Sequence, residues 1–287
     1  MEAAQKPKIA DTIDYERIAK KTLSYSRLKE FKRSPLHFWH SLIEKKEATD
    51  AQRRGQLIDQ IILTPDRVLN EAGKLLEDSQ FIIQPPCDRR TNAGKAIYED
   101  FLKKVEGKTI ITEEELQNAK NLQEVVFENE IAMDFLSRVH TTQKRIDWQH
   151  KKTGLNFKGF LDGEGDNFYL ELKSAANADP EVFVKDAFKF NYHLQGGMYV
   201  EGGSFQRFPL PDLIYIVVEP NPPYGIAVIE APEEYIRLGM QEYNKLCDGF
   251  KYCLDNKLFH QSYQFRNLFT GINKMEVPAW MLKNLEE

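Results

Sequence analysis

The hydrophobic period of the chain changes from helical to alternating near residue 157, and that change limits the folds open to it. Residues 157–162 and 168–173 alternate as strands do. Gly163, Glu164, Gly165, Asp166 and Asn167 lie between them and are rich in turn formers, so the two runs are expected to pair as a hairpin. A period of two puts Phe168, Leu170 and Leu172 on one face of the second strand, and Tyr169, Glu171 and Lys173 on the other. On the first strand Lys158, Phe160 and Asp162 share a face.

The flanking sequence is mostly helical. Ser24 is expected to cap a helix bearing Leu28 and Phe31, and Ser34-Pro35 opens another with Phe38, Trp39, Leu42 and Ile43. A third helix covers 51–63 and stops at Thr64-Pro65. Thr91 starts a helix with Ile97, Phe101 and Val105 on one side, closed by Gly107. Thr112 and Glu115 form a capping box ahead of Leu116, Ala119, Leu122 and Val126. Downstream, a helix is expected at 191–200, a second hairpin at 213–219 and 226–230, and a long helix after Pro232. Together these describe an α/β or α+β chain forming a single domain, 1–287. Within it, 1–20 is a loose arm, 21–140 is mainly helical, and 141–287 carries the sheet with its flanking helices.

Composition removes several functions. With 39 basic and 44 acidic residues the net charge is −5, so any contact with nucleic acid must be local. Local clusters exist at Lys20–Lys21, Arg53–Arg54, Arg89–Arg90, Lys144–Arg145 and Lys151–Lys152. No run approaches the roughly 20 apolar residues of a membrane span, and the polar N-terminus lacks a signal-peptide centre. A cytoplasmic protein without a membrane partner is expected. Cys87, Cys247 and Cys253 are too few for a disulfide framework or a four-cysteine metal site. There is no phosphate-binding Gly-x-x-x-x-Gly-Lys-Ser/Thr loop, no Gly-x-Gly-x-x-Gly turn and no His-Glu-x-x-His. His37 and His40 read as packing or surface groups, and His193 is open to a phosphate contact or a structural hydrogen bond.

The hairpin carries the chemistry. Its turn lets Asp162 and Glu171 converge, and two carboxylates at one point repel unless a cation lies between them. Hard oxygen donors favour Mg2+ or Mn2+. Lys173, on the same face as Glu171, can orient or deprotonate a water that attacks a phosphodiester. An acid-x-Lys pair is cheap by chance and recurs at Glu30/Lys32, Glu44/Lys46, Glu106/Lys108 and Asp255/Lys257. Those pairs fall on helices or loop ends, where neighbours two apart do not face each other. Gln195 and Tyr199 share a helical face after the hairpin. Gln195 can bond a phosphate or the attacking water, with Tyr199 bracing it.

At these positions the chain resembles the PD-(D/E)xK nuclease superfamily, and within it the RecE-like (exodeoxyribonuclease VIII) phage exonucleases. Gly-Phe-Leu-Asp162 and Leu-Glu171-Leu-Lys173-Ser resemble the metal and catalytic motif, and Gln195-x-x-x-Tyr199 resembles the Gln-x-x-x-Tyr box. Ser34-Pro35, Arg54-Gly55, Leu63-Thr64-Pro65, Asp88-Arg89-Arg90-Thr91 and Asp147-Trp148 follow the family order, so the likeness runs over 23–199. Two positions depart from it. Asp59 stands where the family has a histidine metal ligand, and Gln143 where related chains often carry a glutamate.

The resemblance implies a three-layer PD-(D/E)xK restriction-endonuclease-like core, a mixed sheet flanked by helices, with a helical N-terminal region. It implies catalysis by Asp162, Glu171, Lys173 and Gln195, and Mg2+ or Mn2+ held by Asp59, Asp162, Glu171 and the Leu172 carbonyl. It implies DNA contacts at Arg54, Arg89, Arg90, Gln195 and Tyr199. The expected activity is 5′–3′ degradation of double-stranded DNA in phage or prophage recombination, with a single-strand annealing protein as partner and a homo-oligomeric ring. A non-catalytic DNA-binding or assembly module that kept the fold is the alternative. The iron–sulfur nucleases of this fold would need four cysteines and are excluded.

Overall fold

A computed structural model describes residues 12–44, 47–105, 107–203, 210–264 and 272–275. The elements run α1 (Tyr15–Ala19), α2 (Tyr25–Arg33), α3 (Pro35–Ile43), α4 (Asp50–Leu63), β1 (Phe81–Ile83), α5 (Asn92–Leu102), β2 (Thr109–Ile111), α6 (Glu113–Glu128) and α7 (Glu130–Ser137). They continue with β3 (Thr141–Gln149), β4 (Asn156–Glu164), β5 (Phe168–Ser174), α8 (Pro180–Lys189), α9 (Tyr192–Gly202), β6 (Asp212–Val218), β7 (Ile226–Ala231) and α10 (Glu233–Asp255). The chain divides into two compact units, one of residues 1–46, 149–157 and 244–287, the other of 47–148 and 158–243.

The first unit is held by aromatic side chains. Phe31, Phe38, Phe250 and Phe259 are all buried, with ring centroids 5.0 Å apart for Phe31–Phe250 and for Phe38–Phe250. Truncating one such ring to alanine costs about 3–5 kcal/mol. Ser34 accepts from the His37 amide and caps α3, with Pro35 at its first position. Ser24 behaves differently from the expectation: it makes no side-chain cap to α2, and its hydroxyl pairs with that of Ser26 at 3.0 Å. The stretch expected as an arm contains α1, capped by Asp14; residues 1–11 lie outside the described residues.

The second unit is built on the mixed sheet, in the order β3-β4-β5-β6-β7. β4 and β5 are antiparallel, β5 and β6 parallel, and β6 and β7 antiparallel. A parallel pair needs a long crossover, and α8 and α9 supply it. Phe168, Leu170 and Leu172 of β5 and Ile214, Ile216 and Val218 of β6 pack in one cluster with Leu57, Ile58 and Ile61 of α4 and Leu116, Leu122 and Val126 of α6. On the opposite face α9 lies so close that a Cβ on Gly196 would meet Leu213 Cδ2 at 2.5 Å. The layers are therefore helix, sheet, helix, and the fold is the α/β core that the hairpin pattern implies.

The Thr112–Glu115 capping box is formed in both directions. Two expectations fail at α5. The helix ends at Leu102, short of Gly107, and Ile97 is 51% exposed, so its apolar stripe does not face a core. Among the described residues, no helix is long and apolar enough to cross a membrane.

Candidate metal and phosphodiester site

The two central strands and α9 bring together the polar groups singled out in the sequence. β5 is buried along residues 168–172, so Glu171 is a carboxylate 2% exposed in the middle of a sheet. Its Oε2 lies 2.6 Å from Lys173 Nζ and accepts from Gln195 Nε2 at 3.1 Å. Its Oε1 is buried with no hydrogen-bond partner. Asp162, near the end of β4, accepts from the Leu172 amide through Oδ2 at 3.0 Å.

Gln195 is held from behind. Its Nε2 also lies 3.1 Å from the Tyr199 hydroxyl, one helical turn on. Tyr199 in turn presses its ring against the backbone of β4, where a Cβ on Gly159 would sit 2.6 Å from Tyr199 Cε1. Only glycine lets the ring come so near. α9 starts at Asn191, whose φ of 64° and ψ of 36° place it in the left-handed region that asparagine tolerates. Tyr192, the first helical residue, takes Lys173 Nζ over its ring at 5.2 Å. Sequence reading missed Tyr192, although its spacing of three from Gln195 puts the two on one helical face.

The charges around this point are crowded. Burial is the main force raising the Glu171 carboxyl to about 7; Lys173 pulls it down and Asp162 pushes it up. Asp162 is raised by burial against the pull of Lys173 and the Leu172 amide. Asp59, from α4, is pushed well above the ordinary carboxylate range by burial, then by Asp162, with Lys173 opposing and Glu171 adding. Asp59 thus shares one electrostatic cluster with the hairpin. Burial would lower Lys173, but Glu171 and Asp162 outweigh it and the ammonium ends more basic than usual.

The donors suit a hard divalent cation in kind: all are oxygens, and one buried oxygen has no partner. They are not preset. Among the described residues, no three His, Cys, Asp or Glu side chains are grouped to hold a metal ion as they stand. One oxygen of each carboxylate is already engaged, Glu171 Oε2 by Lys173 and Gln195, and Asp162 Oδ2 by the Leu172 amide.

The remaining residues singled out in the sequence make the following contacts. Arg54 is exposed and lines a cavity of about 280 Å³ with Leu57, Asn118 and Pro220. Arg89 stacks over Tyr98 at 4.5 Å, and exposed Arg90 pairs with Asp88 at 3.1 Å. Gln143 sits in β3 at a φ of 50°. His193 is buried with Nε2 2.6 Å from Glu242, a structural hydrogen bond.

A carboxylate pair and a lysine on a central hairpin, braced by a glutamine from the crossover helix, define a PD-(D/E)xK-type core. The chain belongs to the family described as PDDEXK-like domain of unknown function (DUF3799), whose model matches residues 24–262. No curated protein sequence matches it. Among solved structures, one described as a putative exonuclease from Eubacterium rectale superposes with a TM-score of 0.57 at 11% identity, covering 96% of each chain. At that identity the likeness shows the fold. A second, SSO0001, covers 79% of this chain and 98% of that one at 11% identity, but its TM-score of 0.28 carries no argument.

Proposed function

We propose that this chain is a metal-dependent deoxyribonuclease, a 5′–3′ exonuclease acting on double-stranded DNA in phage or prophage recombination. The family and the fold support a nuclease. The observation that carries the reading is the convergence of Asp162, Glu171 and Lys173 under Gln195. PD-(D/E)xK nucleases generally use divalent metal ions, and here Asp59, Asp162, Glu171 and the Leu172 carbonyl would hold Mg2+ or Mn2+. A bound ion would stabilise charge on the phosphoryl oxygens. Lys173, kept cationic by its neighbours, donates hydrogen bonds to the attacking water and adds positive charge beside the scissile phosphate. Gln195, fixed by Tyr199, orients the same water or a phosphate oxygen. Arg54, Arg89 and Arg90 would contact the DNA backbone. An annealing protein receiving the single strand, and a ring assembly, rest on the resemblance to RecE-like enzymes alone.

Linear duplex DNA labelled at the 5′ or 3′ end, incubated with Mg2+, Mn2+ or EDTA, tests the reading. Metal-dependent release of 5′ nucleotides with closed circles spared is expected. Circles nicked as fast as linear DNA is digested would make the protein an endonuclease. No metal-dependent cleavage of any DNA would make it a non-catalytic module.

A further inference from the structure

An aromatic line leads from the lysine of the site to the surface. Lys173 Nζ lies over Tyr192, and the Tyr192 ring is 5.9 Å from that of Phe190, tilted by 36°. Left-handed Asn191 stands between them and turns the ring before it onto the ring after it. Tyr192 is half-buried, while Phe190 is 41% exposed. Lys189 Nζ lies over Phe190 at 5.3 Å, so the outer ring carries a cation as the inner one does. The line thus runs from the buried ammonium of Lys173, across Tyr192, to a ring that meets solvent beside a second ammonium.

We propose that Phe190, seated on Tyr192, is a stacking platform for the nucleobase adjoining the phosphate at the carboxylate cluster. This rests on the nuclease reading. The platform begins at the ammonium that would meet the scissile phosphate, and a base lies one sugar away from its phosphate. Aromatic faces beside cations suit a nucleotide, whose base stacks while its phosphate is neutralised. Every base has a π-face, so the contact positions the strand without reading sequence.

The full chain is compared with Phe190→Ala, Phe190→Trp and, as a control of similar exposure on α6, Phe127→Ala. One measurement is quenching of 2-aminopurine near a DNA end in EDTA, where no cleavage occurs; the other is steady-state cleavage with Mn2+. A lost stacked base is worth about 1–3 kcal/mol, so Phe190→Ala should raise KM about 5- to 150-fold. The kcat should stay within about twofold, because stacking serves ground and transition states alike. Quenching should vanish in Phe190→Ala and persist in Phe190→Trp and Phe127→Ala. Cleavage by Phe190→Ala with unchanged KM and quenching overturns the platform and leaves the nuclease reading standing. Quenching that depends on Phe190, in a protein that cleaves nothing, supports the platform and ends the nuclease reading. Wild-type protein that binds no DNA overturns both.

Discussion

Lys173 Nζ lies 2.6 Å from one carboxylate oxygen of Glu171, while the other oxygen of Glu171 is buried without a partner. A buried acceptor left unsatisfied costs about 1–3 kcal/mol. The lysine therefore neutralises Glu171 without saturating it, and the residual demand is for something positive at Oε1.

Replacing the lysine separates chemistry from metal affinity. Lys173→Ala should abolish cleavage, because among the described residues no other ammonium meets Glu171. The same change removes the charge that holds Glu171 down, so its carboxyl should rise above about 7. Mn2+ binding by Lys173→Ala is then expected to be weak at pH 7 and to recover at pH 9. Glu171→Ala should lose both binding and turnover at either pH. Near-normal turnover by Lys173→Ala would remove that lysine from the mechanism.

Stability should fall as pH rises in the metal-free protein. Glu171 moves from an ordinary 4.5 to about 7 on folding, so the native state binds more protons than the unfolded state between those values. Stability contributed by that proton is complete below 4.5 and is lost as pH passes through about 7. Asp59 and Asp162, also raised, act in the same direction. Thermal melts from pH 4.5 to 7.5 in EDTA should show Tm declining, with a shallower decline in Glu171→Gln. A decline of equal slope in that variant would place the titrating group elsewhere.

Asp59 can be tested by titration calorimetry. Its carboxyl lies in the field of Asp162 and Glu171, so Asp59→Asn should relieve repulsion in the empty site and raise the Tm of the metal-free protein. It should also weaken Mn2+ binding and slow cleavage, since a hard anionic donor becomes a neutral amide. Unchanged affinity and rate would reduce Asp59 to a polar helix residue.

The crossing of α9 and α10 should be intolerant of a single methyl. A Cβ on Gly197 would stand 2.3 Å from the Gly239 carbonyl carbon and the Met240 nitrogen, all backbone that cannot swing away. Gly197→Ala is expected to cost about 1–3 kcal/mol or more, read as a lower urea midpoint. It should also lower kcat by moving Gln195. An unchanged midpoint would mean that the helices can part without penalty.

Both hairpins were legible from short strand-like runs bounded by turn formers: β4 and β5 around the glycine-rich turn, and the continuous apolar run of β6 with β7 across Pro220–Pro223. The capping box of α6 was legible for a local reason, since Thr112 and Glu115 satisfy each other's backbone. β1 and β2 were not, because three-residue strands are too short to show a period. β3 was hidden by its charged residues Lys144, Arg145 and Asp147. Ile97 shows the opposite error, a helical stripe that the fold leaves in solvent. Within the site, spacing alone could bring Asp162, Glu171 and Lys173 to one face. The buried field that reaches Asp59, and the ring of Tyr192 under Lys173, depend on α4 and α9 docking onto the sheet, and no local pattern encodes that.

The glycine contact between α9 and α10 has a consequence for how such a chain can vary. A Cβ on Gly239 would lie 1.8 Å from the His193 carbonyl oxygen, so each helix excludes side chains from the other at the same crossing. Enlarging one residue cannot be balanced by shrinking its partner, because both are already at the minimum. Pairs of compensating changes, the usual route by which cores drift, are closed here. An acid-x-Lys pair arises easily by chance, whereas Gly197 and Gly239 together form a backbone signature that could sort true relatives from chance matches.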